Sequence, residues 1–129
     1  MLIRRLLTAL VRTFLAVGLA GLVVADCVPR TVAPAQIPRA AWETLNFVRT
    51  HGQPPPGQVG GRHFGNYGRG GEQKLPARGP RGMRIDYREW DIHPRQPGRN
   101  RGPERIVTGS DGRAWYTADH YCSFTEMRR

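Results

Sequence analysis

The sequence lacks the features on which several classes of protein depend. It has one lysine, Lys74, ten acidic residues against twenty basic ones, and only two cysteines. None of its four histidines stands four residues from another, and Cys27 and Cys122 lie at opposite ends of the exported part proposed below, so the spacing of a zinc site is absent. No P-loop, GxSxG elbow or dinucleotide fingerprint is present either. The sequence therefore predicts no metal site and no cofactor.

Long apolar runs are also absent, apart from residues 13–24 (TFLAVGLAGLVV), which follow a basic segment without acids. As a helix this run spans about 18 Å, which is too short for a hydrocarbon core of roughly 30 Å. Short residues in Val23-Val24-Ala25 suit a cleavage site before Asp26. We expect residues 1–25 to be a signal peptide and the protein to be secreted, without stable membrane association. The alternative is a membrane anchor counted from Leu6.

The two cysteines bear on the same question of export. An even number of cysteines outside the cytosol favours a disulfide, here joining Cys27 to Cys122. Free thiols and a lipid on Cys27 are the alternatives. Asp26 disfavours the lipid, because acylation signals place a small residue immediately before the modified cysteine.

The charge of the exported part is one-sided. From Asp26 onward the chain has all ten acids and 17 of the 20 basic residues, a net charge of +7, and 16 of those 17 are arginine. The planar arginine fork binds phosphate in a bidentate manner, which suggests a polyanionic partner. A genome rich in G and C would also favour arginine codons. Charge alone thus indicates anion binding and says nothing about catalysis.

The order of predicted elements is one helix followed by strands. Residues 26–36 are expected to be an extended lead-in. Ala41, Leu45 and Val48 form an apolar face that predicts a helix over Arg39–Thr50, ended by Gly52 and Pro54.

The rest of the chain changes character after residue 82. Residues 53–82, rich in Gly, Pro and Arg, are predicted to be ordered loops with short strand pieces. Alternation then predicts four strands, which are Met83–Ile92, Arg105–Thr108, Ala114–Thr117 and Tyr121–Met127. Together with the helix these predict an α+β fold, with one main helix on a twisted antiparallel sheet of about four to five strands.

Four side chains in the second half could act together in chemistry. Period two places Glu89 on the strand face opposite Trp90 and Ile92, and His120 begins the last predicted strand. A carboxylate base, an imidazole acid and the fixed cations Arg101 and Arg105 suffice for RNA cleavage, because the ribose 2′-OH is the nucleophile. Taken singly, however, each of these residues is an ordinary surface group.

Their order and context resemble a known family. The segments Y-R-E-W-D-I (87–92), R-G-P-E-R-I-V (101–107) and T-A-D-H-Y-C-S-F (117–124) are similar to those of barnase and the guanyl-specific ribonucleases of related bacteria. Three further segments agree with the family, W-E-T-L-N-F-V (42–48), G-G-R-H-F-G-N (60–66) and E-Q-K-L-P (72–76). The resemblance extends from about Ile37 to Met127, and it implies a ribonuclease domain over residues 37–129.

The resemblance also implies roles for individual residues. Glu89 matches the general base, His120 the general acid, Arg105 the arginine between the catalytic Glu and the phosphate, and Arg101 a phosphate-contacting arginine. Tyr121 matches the tyrosine beside the catalytic histidine.

The guanine-reading loop of the family corresponds to Phe64, Asn66 and Glu72. This chain departs from the family pattern here, because six steps separate Asn66 from Glu72 where relatives have two. Three of the five intervening residues, Tyr67–Gly71, are glycines.

The function implied is a secreted, metal-independent endoribonuclease that cleaves single-stranded RNA 3′ of guanosine through a 2′,3′-cyclic phosphate. Single-stranded RNA is the expected partner, DNA is not, and a monomer is expected. A small acidic inhibitor resembling barstar is a further expected partner. Two alternatives remain at this stage: a non-catalytic basic module that binds RNA or another polyanion, and a cationic antimicrobial protein.

Overall fold

The computed structural model describes residues 27–28, 32–33 and 36–128, so the predicted signal peptide lies outside the described residues. Helix α1 is followed by five strands, β1–β5, which form one antiparallel sheet in the order β1-β2-β3-β4-β5. The elements are α1 (Arg39–His51), β1 (Gly60–Phe64), β2 (Tyr87–Asp91), β3 (Arg105–Gly109), β4 (Ala114–Thr117) and β5 (Thr125–Glu126). This α+β architecture confirms the predicted fold class. Within the described ranges, no helix is long and apolar enough to span a bilayer.

Helix α1 forms where the apolar period predicts it and ends one residue later, at His51. Ala41, Leu45 and Val48 are buried on one face. Gly52 adopts the left-handed conformation (φ 66°) and donates its N–H to the Val48 carbonyl at 2.8 Å, which satisfies an otherwise unpaired carbonyl of the last turn.

The main core lies between this helix and one face of the sheet. The helical face packs with Trp90 of β2, Ile106 of β3 and Tyr116 of β4. Trp90 Nε1 donates to Thr108 Oγ1 at 2.8 Å, so its polar edge is satisfied inside the core. Since Trp90 faces the helix, the alternation of β2 directs Glu89 to the opposite face, as predicted.

A smaller apolar cluster covers part of that opposite face. It is largely aromatic and consists of Phe64, Leu75, Ile85, Tyr87, Val107, Tyr121 and Phe124. Val107 and Tyr87 come from the central strands, whereas the others are supplied by loops and by β1. The loops of this face therefore pack on this cluster.

Two strand predictions need correction. The predicted strand Met83–Ile92 is reduced to β2, Tyr87–Asp91, because Arg84 forms only an isolated bridge with Arg78 outside the sheet. Residues 53–82, predicted to be loops with short strand pieces, supply one such piece, the edge strand β1, which pairs with β2.

The predicted strand Tyr121–Met127 is reduced to Thr125–Glu126, and His120 does not begin it. His120 and Tyr121 have φ values of 52° and 73°, and this left-handed backbone cannot continue a strand.

The predicted disulfide between Cys27 and Cys122 is present, with the two Cα atoms 5.2 Å apart. Cys27 donates its N–H to Gly70 O at 3.4 Å, and Cys122 O accepts from the N–H of Gln73 at 3.1 Å. Thr125 Oγ1 further binds Val32 O at 2.8 Å. The described parts of the lead-in are thus attached to the end of the chain.

Removal of the disulfide should destabilise the protein strongly. The bond closes a loop with a sequence separation of 95 residues, for which loop entropy predicts a loss of about 4–5 kcal/mol in the Cys27→Ala/Cys122→Ala variant. Urea unfolding of this variant and of the oxidised parent measures the difference, with the reduced parent as control. If both the variant and the reduced parent lose less than about 1 kcal/mol of unfolding free energy, the expectation is contradicted. A loss of that size is typical of a substitution at an ordinary exposed position.

Candidate active site

Glu89 stands in the middle of β2, between Arg62 of β1 and Val107 of β3. Its side chain is 17% exposed. One carboxylate oxygen accepts a short hydrogen bond from the Tyr121 hydroxyl, and the other lies 3.9 Å from Arg101 Nη2. Burial raises the pKa of Tyr121, and the hydrogen bond to Glu89 raises it further, so the phenol remains a donor. Glu89 is therefore held in place and still reachable from solvent.

The turn after β4 places Tyr121 and His120. Buried Thr117 accepts the Tyr121 N–H at 3.0 Å and donates to Asp119 Oδ1 at 2.9 Å. Asp119 in turn accepts from the N–H and the hydroxyl of Ser123, at 2.9 and 2.6 Å. These bonds stabilise two consecutive non-glycine residues at positive φ, a conformation that costs of order 1–3 kcal/mol per residue.

His120 is exposed at the tip of this turn. Its ring lies over the Tyr121 ring, with 4.7 Å between the centroids, and its backbone N–H donates to Pro103 O at 3.0 Å. The structure thus brings Glu89 and His120, separated by 31 positions in the sequence, into contact with the same tyrosine.

Asp91 organises the two arginines. Its carboxylate, on a residue only 4% exposed, accepts two hydrogen bonds from Arg101, one of them from Nε at 2.8 Å. Arg105 Nε lies 2.9 Å from the same carboxylate, close enough for an ion pair although the N–H is not aimed for a hydrogen bond. The hydrogen bond to Asp91 raises the pKa of Arg101.

The structure refines the expected pairing of the arginines. Arg105 was expected next to the catalytic Glu, but its ion pair is with Asp91, and Arg101 is the guanidinium nearest Glu89. Arg105 also donates to the carbonyls of Gly102 and Glu104, at 2.5 and 2.7 Å. Sequence reasoning missed Asp91. Its position two residues after Glu89, on the same strand face, was the signal that could have found it.

Phe64 and Asn66 begin the loop that borders this site. The Phe64 ring packs on Tyr121 at 4.9 Å and on Phe124 at 5.9 Å. Asn66, with φ 55°, donates from Nδ2 to Leu75 O at 2.8 Å and accepts the Leu75 N–H at 2.7 Å. The Asn66 side chain thus closes the loop across nine residues.

Three of the residues between Asn66 and Glu72, Arg69–Gly71, form a short turn. The Arg69 guanidinium lies over the ring of exposed Tyr67, with 4.9 Å between Arg69 Cζ and the ring centroid. Gln73 attaches the end of the loop to the turn after β4, because its Oε1 accepts the Phe124 N–H at 2.8 Å.

Glu72 follows that turn and is half-buried. Its backbone N–H donates to Arg69 O at 3.1 Å. Among the residues that the structure describes, no hydrogen bond or ion pair engages its carboxylate. Likewise, no three His, Cys, Asp or Glu side chains in the described ranges are grouped so that they could hold a metal ion.

Replacement of Asp91 by Asn should cost about 3 kcal/mol of unfolding free energy, because it leaves the buried Arg105 guanidinium without its counter-ion. Urea unfolding measures this loss. The control is Glu43→Gln, which removes the exposed pair with Arg39 and should cost no more than about 0.5 kcal/mol. Equal losses in the two variants would show that Asp91 is not an organising residue.

Comparison with known proteins agrees with this geometry. The family model described as ribonuclease matches residues 22–128. A search of curated proteins gives no match. Among solved structures, ribonuclease Sa2, crystallised with guanosine-2′-cyclophosphate, is 30% identical, with a TM-score of 0.50. The alignment covers 74% of this chain and 90% of that one. The chain therefore belongs to the ribonuclease family, as a barnase-like microbial member.

Proposed function

We propose that this ribonuclease is a secreted endoribonuclease that cleaves single-stranded RNA 3′ of guanosine. The observation that carries the proposal is the contact of both Glu89 and His120 with Tyr121, beside the arginine pair on Asp91. This arrangement has a base, an acid and fixed positive charge on one face of the sheet.

In the first step, Glu89 accepts the proton of the ribose 2′-OH, and the 2′-oxygen attacks the adjacent phosphorus. The bond from phosphorus to the 5′-oxygen breaks, and His120 donates a proton to that leaving oxygen. The product is a 2′,3′-cyclic phosphate. In the second step the roles reverse. His120 accepts a proton from water, the water oxygen attacks phosphorus, and the bond from phosphorus to the 2′-oxygen breaks. Glu89 returns its proton to the 2′-oxygen, and the product is a 3′-phosphate.

The arginines stabilise the charge that develops on the phosphoryl oxygens. Arg101 is partly exposed, with 26% of its side chain accessible, and Arg105 lies deeper. Because Asp91 holds both guanidiniums before substrate arrives, little reorganisation is needed in the transition state. RNA supplies its own nucleophile, so this route needs no metal, and DNA, which has no 2′-OH, is not cleaved.

The loop from Phe64 to Leu75 is the proposed guanine site. Guanine presents N1–H and N2–H₂ as adjacent donors, which the Glu72 carboxylate can accept together. Its O6 can accept a backbone N–H from the glycine-rich segment that Asn66 closes. The guanosine nucleotide bound to ribonuclease Sa2 supports this assignment.

Export and inhibition are proposed on separate grounds. A disulfide persists mainly in oxidising compartments, which supports a secreted protein. An acidic inhibitor resembling barstar would present carboxylates to the arginines in place of RNA phosphates. The protein acts as a monomer in this proposal.

Glu89→Gln and His120→Ala should each lower kcat/KM for RNA by about 10²–10⁴-fold, because each removes one proton-transfer group. Cleavage of GpU in excess EDTA across pH measures the effect. The parent should show a bell-shaped profile, Glu89→Gln should lose the acidic limb, and His120→Ala should lose the alkaline limb.

The controls for this experiment are Glu43→Gln and His51→Ala, both on the helix and away from the site. They should retain the parent rate and profile. A Glu89→Gln protein that keeps nearly the full rate would remove Glu89 as the base. Dependence of the parent on an added divalent ion would remove the mechanism.

Glu72→Ala should lower the preference for guanosine, measured as the ratio of kcat/KM for GpU to that for ApU. A bidentate contact to a base edge predicts a loss of roughly tenfold to a hundredfold in this ratio. Rates on ApU should change little, which separates base reading from chemistry. An unchanged ratio in Glu72→Ala would make Glu72 an ordinary loop residue.

A further inference from the structure

The disulfide joins two residues that both contact the proposed guanine loop. The Cys27 backbone N–H donates to Gly70 O at 3.4 Å, and Cys122 O accepts the Gln73 N–H at 3.1 Å. Glu72 lies between these two contacts, two residues after Gly70 and immediately before Gln73. The two bonded cysteines therefore hold the backbone on either side of the carboxylate that is proposed to bind guanine.

The segment held in this way has little stiffness of its own. Gly68, Gly70 and Gly71 have positive φ values of 66°, 61° and 84°, a conformation that most side chains disfavour. Gly71 lies beside Cys27, since a Cβ built on it would be 3.7 Å from Cys27 Cβ. Contact with Cys27 thus restrains a stretch of backbone that would otherwise have to lose its freedom when a base binds.

Contacts within the loop do not replace this attachment. Asn66 joins the two ends of the loop by bonding Leu75, and the Arg69 guanidinium lies over the Tyr67 ring. Both contacts link the loop to itself, so neither fixes its middle relative to the sheet. Cys27, in contrast, is joined through the disulfide to the turn after β4.

The catalytic side chains are held by other bonds. Thr117 accepts the Tyr121 N–H and donates to Asp119, and the Tyr121 hydroxyl donates to Glu89. None of these three hydrogen bonds involves a cysteine or the guanine loop. Opening of the disulfide should therefore affect recognition of the base more than proton transfer.

We propose that the Cys27–Cys122 disulfide is a positioning element for guanine recognition, which fixes the backbone of residues 70–73 so that the Glu72 carboxylate meets the base. The enzyme with an open disulfide still cleaves RNA, but with less preference for guanosine. This proposal rests on the function proposed above, because it takes Glu72 as the carboxylate that binds guanine. Guanine preference is then a property of the oxidised protein.

The kinetic test compares the oxidised parent with Cys27→Ala/Cys122→Ala on GpU and ApU. The ratio of kcat/KM for GpU to that for ApU should fall roughly tenfold, because ordering about one freed backbone residue on binding costs that much. The fall should come mainly from a higher KM for GpU, and kcat/KM for ApU should stay close to the parent value. The reduced parent should behave like the variant.

The matched control is Leu45→Ala, which leaves a cavity in the core under helix α1, away from the loop. It lowers stability without touching the disulfide and should keep the parent ratio. All assays contain sucrose, which favours the folded state, and circular dichroism verifies that each protein is folded.

A double-mutant cycle connects the disulfide to Glu72. In a Glu72→Ala background the carboxylate is already absent, so removal of the two cysteines should lower the ratio little further. Additive falls in the two backgrounds would show that the disulfide acts on specificity by a route other than Glu72, and would overturn the proposal.

Hydrogen exchange measured by NMR tests the attachment without any substrate. In Cys27→Ala/Cys122→Ala the N–H groups of Glu72 and Gln73 should exchange faster than in the parent. The Leu75 N–H, which Asn66 holds, should keep its protection. Failure of the parent to cleave RNA, or to prefer guanosine, removes the proposed function, whereas this measurement still tests the positioning element.

Two further results would overturn the proposal. An unchanged ratio of GpU to ApU, together with unchanged exchange at Glu72 and Gln73, would leave the disulfide with a role in stability alone. A fall in the ratio as large in Leu45→Ala would show that the effect follows from lost stability rather than from the position of the loop.

Discussion

The structure of the active face depends on the hydrogen bonds of one buried hydroxyl, that of Thr117. It accepts the Tyr121 N–H and donates to Asp119, whose carboxylate in turn holds Ser123. This network keeps His120 and Tyr121 in left-handed backbone conformations that neither residue prefers. The strain is offset by hydrogen bonds within the same turn, so His120, Tyr121 and the disulfide-bonded Cys122 are presented together.

The proposed catalytic and guanine-binding residues both contact Tyr121. Tyr121 donates its hydroxyl to Glu89 and packs against Phe64, the residue that begins the proposed guanine loop. The other end of that loop is attached to the same turn through Gln73, which bonds both Cys122 and Phe124. The intervening residues Tyr67–Gly71 therefore lie in a lengthened loop whose two ends are fixed. The lengthening can alter contacts at the loop tip without moving Asn66 or Glu89.

Local patterns predicted those parts of the fold whose physics is local. Helix α1 follows from its apolar period, and the orientation of Glu89 follows from the alternation with Trp90. The turn after β4 was wrongly predicted as a strand, because the alternation of residue types does not reveal positive φ values at His120 and Tyr121. Those values are stabilised by specific hydrogen bonds of the Thr117 and Asp119 side chains. Asp91 was missed for a similar reason. A buried aspartate differs from a solvated one only through partners 10 and 14 positions later, Arg101 and Arg105.

The acids of this basic protein are arranged so that they do not repel RNA. Asp91 is neutralised by two guanidiniums, and Glu89 lies beside a phenolic donor and near Arg101. Glu72, at the other end of the face, has a carboxylate to which no described residue donates a hydrogen bond, and in the proposed function guanine supplies two adjacent N–H donors to it.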